Sequence, residues 1–170
     1  MILFIDNYDS FSYNIIRKIS INFYLNIINV LLKKINFFYE KILILGPGAY
    51  NPFCKNIITL LIDKNIGKKK FIGICLGHQI ICNYFGSNII KLNKITHGDI
   101  KKNIIYYKKY KIFIIKKFIR YNSLLCNKNI YLKIFSKYNF NIFLTKNLRF
   151  QIKTFQHHPE SLISDFNIII

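Results

Sequence analysis

The sequence predicts an α/β fold, a mostly parallel central sheet flanked by helices with a smaller antiparallel addition. Three observations carry that expectation. Short, continuous apolar runs alternate with helical stretches through the first half, as strands buried on both faces of a parallel sheet do. Three of those runs stop at polar or glycine-bearing junctions, after Ile5, Leu45 and Ile74. Such junctions fall together at the carboxyl ends of parallel strands, where α/β proteins collect their ligands. The second half changes character, to strand-like runs parted by short lysine- and asparagine-rich turns, the pattern of antiparallel additions.

Met1–Ile5 is unbroken apolar sequence and reads as a first strand. Asp6 to Ser12 supplies a polar loop whose Asp6, Asp9, Ser10 and Ser12 are candidate helix caps, and a helix is expected from there to about Ile19. Apolar runs at Ile27–Leu32 and Ile42–Leu45 give two more strands. The second of these ends in Gly46-Pro47-Gly48, a strong turn signal. Asn56 to Lys64 suits a helix, and Phe71 to Ile74 a fourth strand. Tyr106–Ile119, Tyr131–Phe135, Asn141–Thr145 and Phe150–Phe155 are the later strand-like runs. With no repeat, linker or low-complexity tail, residues 1–170 are expected to form a single domain.

Composition bounds the class of protein. At 52% hydrophobic, the chain can bury a sizeable core. Its 26 basic and 7 acidic residues leave a net charge of +19, yet Arg17, Arg120 and Arg149 are the sole arginines. Nucleic-acid readers lean on arginine for bidentate contacts, so scattered lysine reads as a solvated coat, and no nucleic-acid partner is expected. The lysine-, isoleucine- and asparagine-rich usage suits an AT-rich bacterial genome. Residues 71–90 carry no formal charge, but His78, Gln79, Asn83, Ser87 and Asn88 would meet hydrocarbon in a membrane span. No membrane association is expected. Four unframed cysteines (Cys54, Cys75, Cys82 and Cys126) and a start directly into a core strand point to a reducing cytoplasm.

The candidate chemistry centres on Cys75. It follows an apolar run and stands between Gly73 and Gly77 at an expected strand-to-helix junction. A tight turn there holds the sulfur above the sheet edge, and the first amides of the helix favour a thiolate or an oxyanion formed on a substrate. Cysteine attack needs a base, and the base needs a partner that fixes its tautomer. The histidines are His78, His97, His157 and His158. His78, one helical turn past Cys75, should point away from the sulfur. His158 shares a loop with Glu160, stiffened by Pro159. Cys75, His78 and Cys82 also fall at i, i+3 and i+7, a spacing zinc could use, but Cys75 precedes the helix, so no metal is assigned. His97 before Gly98 reads as a turn or sheet contact, and Cys54, Cys82 and Cys126 as core residues.

Five segments together resemble the class I glutamine amidotransferases: Gly73-Ile74-Cys75-Leu76-Gly77-His78-Gln79, Gly46-Pro47-Gly48, Gln156 through Ser161, Tyr121-Asn122-Ser123-Leu124 and His97-Gly98. The opening Asp6-Asn7-Tyr8-Asp9-Ser10-Phe11 is similar to that of the small subunits of chorismate-using synthases. The resemblance spans essentially the whole chain. It implies a three-layer fold and a glutaminase with Cys75 as nucleophile, His158 as base and Glu160 as its orienting carboxylate. It further implies an oxyanion hole from Gly48 and Leu76, with glutamine held by Gly46, Pro47, Gly48, Gln79, Ser123 and Leu124. The implied partner is a chorismate-using large subunit, that of anthranilate synthase first and aminodeoxychorismate synthase as the alternative. No cofactor is implied in this chain, and any magnesium would sit on the partner. His157 departs from the family's usual aromatic residue and Asn122 from its usual histidine, which leaves a non-catalytic assembly subunit as another reading.

Overall fold

The computed structural model describes residues 1–29, 39–53, 57–107, 112–127, 131–138, 141–147 and 149–161. Among them β1 (Ile2–Asn7), α1 (Ser12–Ser20), β2 (Leu25–Asn29), β3 (Ile42–Gly48), α2 (Ile57–Asn65), β4 (Lys70–Ile74) and α3 (Leu76–Tyr84) make the first half. β5 (Asn88–Tyr107), β6 (Ile112–Asn127), β7 (Lys133–Tyr138), β8 (Asn141–Asn147) and β9 (Ile152–Phe155) make the second. One sheet runs β2-β1-β3-β4-β9-β8-β6-β5, with β7 paired to β8. β2, β1, β3, β4 and β9 are mutually parallel, and the remaining pairings are antiparallel.

Two apolar clusters sandwich the parallel part and make three layers. Alternating residues send Ile2, Phe4, Ile44, Ile72 and Phe155 to one face, where Ile15 and Ile19 of α1 cover them. Leu3, Ile5, Leu43, Leu45 and Phe71 point to the other, under Ile58, Leu61 and Ile62 of α2 and Leu76, Ile80 and Ile81 of α3. Both faces being covered is why these strands read as continuous apolar runs rather than alternating ones. No helix among the described residues is long and apolar enough to cross a membrane.

Three expectations are corrected. Gly46-Pro47-Gly48 does not turn the chain but extends β3, with the β1–β3 register shifting between Ile5 and Asn7. Tyr106–Ile119 is not one strand: it spans the end of β5 and the start of β6, which pair antiparallel through Tyr107 and Ile112. Lys91, Lys94, Lys101 and Lys102 interrupt the apolar pattern of β5 and hide its length. The run ending at Phe155 is antiparallel to β8 but parallel to β4, with Phe71 opposite Ile152 and Ile74 opposite Phe155. It therefore closes the parallel part of the sheet and brings its C-terminal loop to the edge where β4 ends. Cys54 and the apolar tail 166–170 lie outside the described residues.

Candidate active site

Cys75 occupies a sharp elbow between β4 and α3. Its backbone sits at φ 51° and ψ −101°, a region that costs a side-chain-bearing residue conformational energy. The elbow is held from both sides: the Cys75 N–H donates to the Phe155 carbonyl at 2.7 Å, and the Gln79 N–H to the Cys75 carbonyl at 3.1 Å. Gly77 lets α3 press this closely onto β3, since a Cβ there would lie 2.2 Å from the Leu45 carbonyl oxygen. The turn carries the sulfur out of the α3 layer to the apolar cluster on the α1 side, with Ile74 and Phe155.

The parallel β4–β9 pairing delivers His158 to the same place. Its Nδ1 lies 2.6 Å from Glu160 Oε1, and the pair is buried, with side-chain exposures of 2% and 0%. The Cys75 sulfur is hydrogen-bonded to this imidazole. With Nδ1 on the carboxylate, Nε2 is the nitrogen available to sulfur. Burial pulls the proton affinity of His158 down, but the hydrogen bonds to Cys75 and Glu160 and their negative charge outweigh it and push its pKa up to about 10. Phe11 and Tyr121 stack at 4.9 Å and brace the ring, with centroids 5.2 and 5.4 Å from it. The sequence does not single out either for this role, because contacts between the loop at Phe11, β6 at Tyr121 and the loop at His158 leave no periodicity. His157 packs edge-on to Phe155. Burial first, then the positive fields of His158 and His78, hold its pKa down to about 3.

Beside the sulfur opens a cleft of about 350 Å³ lined by Asp9, Gly48, Ala49, Tyr50, Cys75, Gln79, Tyr121, Asn122, Ser123 and Leu124, within the size range of small-ligand sites. All three junctions read from the sequence thus reach one edge. Gly48 faces Leu76: a Cβ at 48 would lie 3.1 Å from Leu76 Cδ2 and 2.6 Å from the Asn7 carbonyl oxygen. Gly46 and Pro47 are not among the lining residues. They are buried in β3, where the Gly46 carbonyl accepts from Asn7 Nδ2 at 2.8 Å. Gln79, Ser123 and Leu124 line the wall as expected. Asp9, Tyr50 and Asn122 complete it without having been singled out as ligand contacts.

Comparisons with known proteins identify the family. The family model described as "Glutamine amidotransferase class-I" matches residues 3–168. The chain belongs to the class I glutamine amidotransferases. Among curated proteins, this amidotransferase is 34% identical to the anthranilate synthase component 2 of Buchnera aphidicola subsp. Schizaphis graminum, over 96% of this chain and 88% of that protein. It is 30% identical to the protein of that name from Vibrio parahaemolyticus, over 97% and 89%. Among solved structures, a glutamine amidotransferase from Thermotoga maritima superposes with a TM-score of 0.74 at 12% identity, covering 94% of this chain and 75% of that one. PurLQS from Thermotoga maritima gives 0.68 at 14% identity, covering 96% and 89%. At such identities the structures speak for the fold.

The amidotransferase's other candidate residues have structural places. His78 turns away from the cleft, its Nδ1 2.7 Å from Thr154 Oγ1. With Cys82 and Cys126 it forms a buried group whose ligand-type atoms lie within 4.8 Å of one another. Cys75 is not in that group. The Cys82 sulfur is 3.6 and 3.8 Å from the two ring nitrogens. The Cys126 thiol is pushed well up, by burial first and then by Cys82. All three residues are buried, and His78 is hydrogen-bonded to Thr154. His97 pairs with Tyr121 across β5 and β6, beside a register shift at Gly98, whose φ of 74° accommodates it. Asp6 and Asp9 do not cap α1, which begins after Phe11 with no side-chain cap. Asp6 Oδ1 accepts from Ser12 Oγ at 2.6 Å, and Asp9 Oδ1 from the Phe11 N–H at 2.8 Å, which shapes the loop that carries Phe11 to His158.

Proposed function

We propose that this chain is the glutamine-hydrolysing subunit of anthranilate synthase, feeding ammonia to a chorismate-binding partner in tryptophan biosynthesis. The observation that carries the reading is the convergence of Cys75, His158 and Glu160 at the edge of one cleft. The Cys75 thiolate attacks the side-chain carbonyl carbon of glutamine, and the Gly48 and Leu76 N–H groups receive the oxyanion. When the tetrahedral intermediate collapses, the C–N bond breaks and His158 gives its proton to the departing ammonia. Water then attacks the thioester, His158 takes its proton, and glutamate leaves as the thiolate reforms. Glu160 keeps Nδ1 protonated, so Nε2 handles each transfer.

Gln79, Ser123 and Leu124 hold the substrate. Both Gln79 Nε2 protons are spent within the protein, on the Leu124 carbonyl at 3.0 Å and Gln156 Oε1 at 3.3 Å, so Gln79 offers glutamine its Oε1. Gly46 and Pro47 act from behind by fixing Gly48. Thioester chemistry asks for no cofactor in this chain, and any magnesium would belong to the partner. Thiol chemistry and the cysteine usage favour a reducing cytoplasm, and residues 1–170 read as a single catalytic domain. The names borne by its relatives favour anthranilate synthase over aminodeoxychorismate synthase. Mixed with the partner, chorismate and glutamine, the protein releases glutamate and the complex forms anthranilate. Cys75→Ser abolishes both, while anthranilate formation from added ammonia persists. Glutamate release surviving in Cys75→Ser refutes the reading.

A further inference from the structure

Besides His158, a buried chain of amides reaches the sulfur. Gln156, fully buried, directs Nε2 to Cys75 Sγ at 3.8 Å, within N–H···S hydrogen-bonding range. Its Oε1 accepts from Gln79 Nε2, whose second proton goes to the Leu124 carbonyl. That carbonyl also accepts from Asn122 Nδ2 at 2.7 Å, and Asn122 Oδ1 accepts from Arg120 Nε at 3.1 Å.

We propose that Gln156 is a further catalytic residue, its N–H stabilising the Cys75 thiolate, and that the Arg120–Asn122–Gln79 chain serves to hold that amide in its donating orientation. An amide can present oxygen or nitrogen, and the choice here is forced at both ends. A guanidinium only donates and a carbonyl only accepts. Arg120 therefore turns the Asn122 oxygen toward itself and its nitrogen toward Leu124. The Leu124 carbonyl requires nitrogen from Gln79, that nitrogen requires oxygen from Gln156, and nitrogen is left facing sulfur. A reversed Gln156 would set an amide oxygen against the thiolate and two donors against each other, in a site where Gln79, Arg120, Asn122 and Gln156 are each at most 7% exposed. The arrangement also gives Asn122 a task distinct from substrate contact. The imidazolium of His158 neutralises the sulfur's charge, and the Gln156 dipole adds to that support. The proposal rests on Cys75 being the nucleophile, but not on which amide it cleaves.

The test follows the sulfur without glutamine or the partner, so its failure is separable from that of the glutaminase reading. Carbamidomethylation of Cys75 is followed by mass spectrometry from about pH 4 to pH 10 in the wild type and in Gln156→Met, which keeps the shape and removes the donor. The pH at which the rate reaches half its plateau is expected to lie about one pH unit higher in the variant, the loss of one hydrogen bond to a charged group. An unchanged midpoint overturns the proposal, as does a deficit that is the same at every pH, which would mark altered access. If Gln156→Met does not fold, the wild type decides. The Gln156 side-chain amide resonances should titrate with Cys75 and lose that titration in Cys75→Ala, and an amide that does not respond overturns the proposal.

Discussion

Glu160 acts on the reaction entirely through His158. Its Oε1 lies 2.6 Å from Nδ1, close enough to fix the ring and stabilise the imidazolium, and a neutral amide cannot do the second. Glu160→Gln should lower glutamine turnover in the complex by about 10²–10⁴-fold with KM nearly unchanged, as steady-state kinetics will read. His157 makes the opposite demand, a histidine kept neutral beside one kept charged. With its pKa at about 3 in the fold and 6.5 outside it, the unfolded chain gains a proton first as pH falls from 6.5 toward 3, so native stability drops across that window. The loss is on the order of 1 kcal/mol per pH unit. His157→Phe should remove it, gaining about 2 kcal/mol at pH 4.5 by urea unfolding. For His158, at about 10, the sign reverses: its contribution is complete below pH 6.5 and fades as pH rises through 10. Between them these two residues place the stability maximum near pH 6.5.

The elbow depends on how closely α3 can approach β3. At Gly77 an added methyl group would meet the Leu45 carbonyl oxygen at 2.2 Å and Leu45 Cβ at 2.7 Å. Neither is a flexible side-chain end that can swing away. Gly77→Ala should therefore cost at least about 3 kcal/mol, the upper end for overpacking, by denaturant unfolding. Where it still folds, α3 must move away from β3 and take the elbow's helical side with it, so glutamine turnover should fall as well. β9 is the other element on which the site depends. It pairs with β4 along the backbone, with Phe155 packed in the same apolar cluster as Ile72 and Ile74, and that placement unites a sulfur and an imidazole 83 positions apart, from residue 75 to residue 158.

Across the whole molecule, 26 cationic side chains face 7 anionic ones, and their mutual repulsion works against the compact state. Raising sodium chloride from about 10 mM to about 200 mM shortens the screening length from about 30 Å to under 10 Å. The melting temperature should rise by a few degrees over that range, as differential scanning calorimetry will measure. A melting temperature that falls with salt would mean that attractive pairs outweigh the coat's self-repulsion.

The apolar runs, the glycines around Cys75 and the two carboxylate-and-imidazole neighbours at 158 and 160 were legible in the sequence because each is a local constraint. A strand buried on both faces must be apolar throughout, a tight elbow must have glycine where backbones touch, and a stiff loop can pair residues two apart without help from elsewhere. The sequence alone therefore determined the α/β class, the nucleophile's setting and the edge where ligands gather. Only the tertiary structure decided that β9 runs parallel to β4, that Gly46 and Pro47 lie buried rather than lining the cleft, and that Phe11, Tyr121 and Gln156 converge on the His158–Cys75 pair. Those outcomes rest on strand pairing and side-chain hydrogen bonds between distant segments. Such contacts are selected by the packing of the whole sheet and leave no periodic trace in the chain.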